Sequence, residues 1–143
     1  MTNFFFLTTP TRDQIHQILS LYESTGWWTP GPDAVDEALR LVDGSHCFLV
    51  AESKGEIVGM GRAISDRVSD AYIQDVAVGS DHKHQGIGSE LVARIIKRLQ
   101  EDGIGWIGLI AERNSYAFYR EIGFSEMPDA LPMLLKETGL DTE

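Results

Sequence analysis

Tyr72-Ile73-Gln74-Asp75-Val76-Ala77-Val78, a polar turn, and then Gln85-Gly86-Ile87-Gly88 running on to Leu99 form the stretch whose reading decides the fold. Tyr72, Ile73, Val76 and Val78 are strand formers, and Gly79-Ser80-Asp81 breaks the run. From Ile87 onward the apolar residues Ile87, Leu91, Val92, Ile95, Ile96 and Leu99 recur at helical spacing and make one buried face. A strand feeding a glycine-bearing turn into a helix is a ready anion site. The first-turn N–H groups lack partners within the helix, the dipole is positive there, and glycine lets a phosphate approach the backbone.

Composition narrows the classes around this stretch. The 143 residues suffice for one domain with a single core, and 43% hydrophobic content fits a globular chain. A formal charge of −10, from 22 acidic against 12 basic residues, speaks against a nucleic-acid binder, which needs a basic face. The one cysteine, Cys47, excludes an intrachain disulfide and a thiolate-rich zinc site; beside Phe48-Leu49-Val50 it reads as a small core residue. The histidines (16, 46, 82 and 84) show no metal spacing, so no metal is expected. Phe4-Phe5-Phe6-Leu7 is too short to span a membrane and has no basic flank, which points to a cytoplasmic chain without a membrane partner.

In chain order, residues 3–7 read as a first strand, and Thr11 or Asp13 can cap a helix that buries Ile15, Ile18, Leu19 and Tyr22. Residues 26–32 are a loop by their glycines and prolines, and Asp33 starts a second helix closed by Gly44. Residues 46–51 and 56–64, joined at Lys54-Gly55, read as a hairpin, with the fourth strand at 72–78. A fifth strand is expected over 106–111 and a short helix from Asn114 to Ile122, with Gly123 just past its end. Phe124 and residues 133–135 are candidate final strands, and Lys136 onward reads as a solvated tail. No repeat or linker interrupts the chain, so 1–143 is read as one α+β domain.

Gly103-Ile104-Gly105-Trp106-Ile107-Gly108 matches the dinucleotide fingerprint by letter, but its glycines precede a strand instead of opening a helix. The turn at Gly86 and Gly88 has a second element that agrees with it. Asn114, Ala117, Phe118, Tyr119, Gly123 and Phe124 sit in a compact later motif. Together the two elements resemble the GCN5-related N-acetyltransferase superfamily, whose cofactor motif is Arg/Gln-x-x-Gly-x-Gly/Ala. Here that motif reads Lys83-His84-Gln85-Gly86-Ile87-Gly88, with lysine in the first position. The resemblance covers residues 46–125 and implies a central mixed, mostly antiparallel sheet with helices on both faces.

It also implies chemistry. Acetyl-coenzyme A would set its pyrophosphate on the amides of His84 through Ser89, with Lys83 adding charge, and its pantetheine arm would pair with Val76, Ala77 and Val78 through their backbone. A main-chain N–H near Val78 would polarise the thioester carbonyl. Tyr119 occupies the family position of the proton donor to the departing thiolate, and Asn114 suits capping and cofactor contact. Strand alternation sets Tyr72 and Gln74 on one side and Asp75 on the other, unless a bulge re-aims it. Tyr72 and Gln74 are then the residues to hold a relay water for the amine proton. Trp27 and Trp28 are the candidates for the acceptor pocket, one of them anchoring its loop. The expected reaction is direct transfer to a small-molecule or peptide amine. The alternative is a non-catalytic acyl-coenzyme A sensor, and a homodimer is compatible with the resemblance.

Overall fold

Five strands and four helices account for the regular structure in a computed structural model that describes residues 1–136. The strands are β1 (Thr2–Phe6), β2 (Cys47–Ser53), β3 (Glu56–Ser65), β4 (Asp70–Val78) and β5 (Trp106–Gly108); the helices are α1 (Arg12–Thr25), α2 (Ala34–Gly44), α3 (Ile87–Glu101) and α4 (Tyr116–Ile122). The strands form one sheet in the order β1-β2-β3-β4-β5, antiparallel except for the parallel β4–β5 pair that α3 connects. The chain forms two compact units, Met1–Leu109 and the residues from Ile110 on.

Local chemistry sets the ends of these elements. Thr11 Oγ1 accepts from Gln14 N at 3.1 Å and Gln14 Oε1 accepts from Thr11 N at 2.8 Å, a reciprocal cap that starts α1. Lys54 and Gly55, both at positive φ, make the two-residue turn between β2 and β3.

The strand period then distributes side chains to two faces. On one face Phe48, Val50, Met60 and Ala77 pack with Ile15, Ile18 and Tyr22 of α1 and Ala38 and Val42 of α2. On the other lies α3, whose Leu91, Val92, Ile95 and Leu99 are fully buried. A Cβ at Gly59 would stand 3.1 Å from Ile87 Cγ2, so α3 approaches β3 closely only because that position is bare. Arg94 and Arg98 lie over the Phe4 and Phe6 rings at 4.7 Å, fixing the same helix to β1. The sheet thus carries helices on both faces, the expected α+β arrangement.

Three expected elements differ. β5 ends at Gly108 and not at 111, because it lies beside β4 only from Asp70↔Trp106 to Tyr72↔Gly108. α4 begins at Tyr116 because Arg113 (φ 57°) and Asn114 (φ 62°) are left-handed and cannot belong to a right-handed helix. Phe124 and residues 133–135 form no strand; the latter are about nine-tenths exposed and pair with no strand among the described residues. The tail expected from Lys136 lies, past that residue, outside the described residues.

Candidate active site

The glycine turn forms as its sequence predicts. A short 3₁₀ turn (Ser80–His82) follows β4, His84 takes φ 65°, and Gly86 takes φ 81° as the residue before α3. No side chain caps α3 there, and nothing lies within 4 Å of where a Gly86 Cβ would be. The amides of the first turn thus have no side-chain cap at the positive end of a 15-residue helix, and Gly86 adds no side chain over them. Lys83, His84, Gln85 and Ser89 are exposed around it, Gly88 is half-buried, and Ile87 is buried as the anchor.

β4 presents an open edge beside this turn. Its pairing with β5 stops at Tyr72, so from Ile73 to Val78 the outer edge has no partner strand among the described residues. Gly79 N donates to Val58 O at 2.8 Å, toward β3. Val78, one residue earlier, consequently turns its N–H to the open edge. The expected groups of the anion turn and of the strand edge, Val76, Ala77 and Val78 included, are thus neighbours in one unit.

The expected alternation through Gln74 and Asp75 is corrected by a bulge. Met60 pairs with Ala77 and Arg62 with Gln74, so Gly61 faces two residues, Asp75 and Val76. Asp75 sits at φ 59°, a left-handed backbone that aspartate tolerates better than most residues. Its side chain turns to the α1 face, the side of Gln74, where Asp75 Oδ2 accepts from Tyr22 Oη at 2.7 Å and from Arg62 Nε at 2.6 Å. Arg62 also donates to Gln74 Oε1 and to Ser45 Oγ, both at 3.3 Å. Burial, then the facing Asp75 charge, raises the Tyr22 phenol well above its ordinary value, so it remains a donor.

Tyr22 extends this network to the acceptor candidates, since Trp28 packs edge-on against it at 5.4 Å. Trp28 is the tryptophan that anchors the loop to the core, and Trp27 is exposed. Tyr72 and Gln74 are both exposed; Tyr72 meets Trp106 edge-on at 5.1 Å. A side chain at Gly108 would lie 2.5 Å from the Trp106 ring, so the bare position is what lets that indole lie down. Tyr22, Arg62, Asp75 and Trp106 escaped the candidate set. A charged Arg62 inside the apolar run 57–64 is the signal that points to the first three, which share the Asp75 carboxylate.

The second unit holds the other motif. Tyr119 packs edge-on between Phe118 at 4.9 Å and Phe124 at 5.8 Å, and burial raises its phenol pKa. Gly123 ends the helix, its N–H donating to Tyr119 O and Arg120 O. Asn114 precedes α4 in a left-handed conformation and does not cap it; Ser115 stands at the cap position with no side-chain bond to the helix.

Cys47 is buried, and burial pushes its thiol up to about 11, as befits a core residue and not a nucleophile. Among the described residues no three His, Cys, Asp or Glu side chains could hold a metal, and no helix is long and apolar enough to cross a membrane.

The acetyltransferase (GNAT) family model matches residues 12–124. Over 121 residues the chain is 33% identical to a protein named an uncharacterized N-acetyltransferase, ycf52, of Gracilaria tenuistipitata var. liui, covering 82% of this chain and 65% of that one. The same-named protein of Porphyra purpurea is 29% identical over 88% of this chain and 73% of its own length. In structure, a GNAT acetyltransferase from Streptococcus pneumoniae TIGR4 superposes with TM-score 0.79 at 22% identity, covering 96% of this chain and 99% of that one.

Proposed function

Since this chain belongs to the acetyltransferase (GNAT) family, we propose that it moves an acetyl group directly from acetyl-coenzyme A to a primary amine of a small molecule or peptide. One observation carries this reading: an uncapped helix start behind left-handed Gly86 stands beside an unpaired strand edge whose Val78 N–H points outward. The first suits a diphosphate, the second an amide-bearing arm added like a strand. The amides from His84 to Ser89 are the proposed anion cradle, with Lys83 as its nearby cation. Val76, Ala77 and Val78 supply backbone groups to the arm, and the Val78 N–H stabilises the charge that develops on the carbonyl oxygen. Tyr119 is proposed as proton donor to the departing thiolate, Asn114 as a cofactor contact, and Tyr72 with Gln74 as holders of the water that removes the amine proton. Trp27 and Trp28 are proposed to border the acceptor.

The reading takes 1–143 as a single cytoplasmic acetyltransferase domain, compatible with a homodimer. The chain spans about two thirds of the first curated relative's length, 65%. Thermal shift tests it first. Acetyl-coenzyme A must raise the melting temperature where adenosine does not. An amine panel read by free-thiol release then separates an enzyme from an acyl-coenzyme A sensor, which would bind and release nothing.

A further inference from the structure

The β4 bulge is held by side chains whose partners lie far apart in sequence. Asp75 occupies a left-handed backbone, where the aspartate side chain must offset local strain. Two donors converge on its Oδ2, Tyr22 Oη from α1 at 2.7 Å and Arg62 Nε from β3 at 2.6 Å. Arg62 is itself held by Ser45 Oγ and Gln74 Oε1, and its side chain is only 14% exposed. The register beyond the bulge, Met60↔Ala77 and Gly59↔Val78, depends on Asp75 and Val76 sharing the place opposite Gly61. Which β4 amides face the open edge is set by that register: without the extra residue, every group after it would point to the other side.

We propose that Tyr22 and Arg62, acting through Asp75, are positioning residues that lock the β4 bulge so that the Val78 amide meets the acyl carbonyl. The inference rests on the acetyl-transfer reading and adds to it the residues that set the carbonyl's environment. The three side chains need not touch the acyl group. Their effect reaches it along three residues of backbone, by fixing the direction of one N–H.

The test reads the carbonyl itself. Acetyl-coenzyme A labelled with ¹³C at the acetyl carbonyl is bound to the unaltered protein and to Asp75→Ala, Asp75→Gly and Tyr22→Phe, and the isotope-edited C=O stretch is recorded with the dissociation constant. In the unaltered protein the stretch moves to lower frequency than in solution. In Asp75→Ala the constant stays within about threefold, since the diphosphate turn is untouched, while the stretch returns toward its solution value. Asp75→Gly recovers part of the shift, because glycine takes the left-handed backbone freely. Tyr22→Phe falls between the unaltered protein and Asp75→Ala. A merely structural role would lower the melting temperature and leave the bound carbonyl where it was. An unshifted stretch in the unaltered protein, an unchanged shift in Asp75→Ala, or no recovery in Asp75→Gly overturns the inference. Should Asp75→Ala not fold, Tyr22→Phe decides alone, and a stretch equal to the unaltered protein's rejects the lock. Failure of the unaltered protein to bind acetyl-coenzyme A at all would instead remove the transfer reading itself.

Discussion

Tyr22 and Asp75, 53 positions apart in sequence, are joined by a 2.7 Å hydrogen bond that ties the first helix to the bulge of the fourth strand. Arg62 shares the same carboxylate oxygen, so removing either donor leaves a part-buried charge with a weaker complement. Tyr22→Phe is expected to cost about 1.5–3 kcal/mol, the range for a hydrogen bond to a charged group. Arg62→Met should cost more, about 3 kcal/mol, the low end for breaking a buried pair because this one is partly solvated. Urea unfolding measures both; equal and negligible costs would mean the cluster is loosely held.

Packing against α3 makes a sharper contrast. Gly59→Val puts side-chain atoms against Ile87 and Leu91 and should cost about 1–3 kcal/mol. Leu91→Ala empties the same contact and should cost about 2–5 kcal/mol. Gly31→Ala, with nothing within 4 Å of its Cβ, is the control and should leave the urea midpoint unchanged.

The β3–β4 turn supplies a pH prediction. The Asp66 carboxylate accepts from the amides of Val68, Ser69 and Asp70, and these bonds lower its pKa to about 2. A depressed folded pKa stabilises above the unfolded value, near 3.9, and that stabilisation disappears as pH falls through the folded one. The stability gap between the unaltered protein and Asp66→Ala should therefore be full at pH 7 and narrow from about pH 4 to about pH 2. A gap constant across that range contradicts the assignment.

How far these features could be read from sequence varies with their physical origin. The apolar period of α3 and the turn at Gly86 are local, and each formed where spacing and glycine chemistry placed it. The bulge at Asp75 is not local. Period-two alternation assumes an unbroken register, whereas the extra residue is stabilised by Tyr22 and Arg62, which no window around β4 contains. The shortened β5 has the same cause, since a strand lasts only as long as its neighbour's edge stays beside it. Residues 133–135 show the converse: an apolar run is not a strand without a partner. At Asn114 the residue type suggested a helix cap, but its left-handed backbone left that position to Ser115.

Tyr119→Phe tests the proposed proton donor. A tyrosine phenol is protonated at neutral pH and burial raises its pKa further, so the hydroxyl is available to donate. Its removal should lower kcat about 10²-fold, the lower end for general acid catalysis. The dissociation constant of acetyl-coenzyme A should change by less than about threefold, because the diphosphate is held elsewhere. Full activity in this variant would remove Tyr119 from the mechanism.

The most direct measurement is a ¹⁵N amide titration with acetyl-coenzyme A in the absence of any amine, so that the acyl carbonyl is present and nothing is transferred. The largest shift changes are expected at residues 84–89 and 76–78, with the Gly86 and Val78 amides moving downfield as they acquire acceptors. Saturation with those amides unmoved, and changes gathered elsewhere, would contradict the proposed cradle and the transfer built on it.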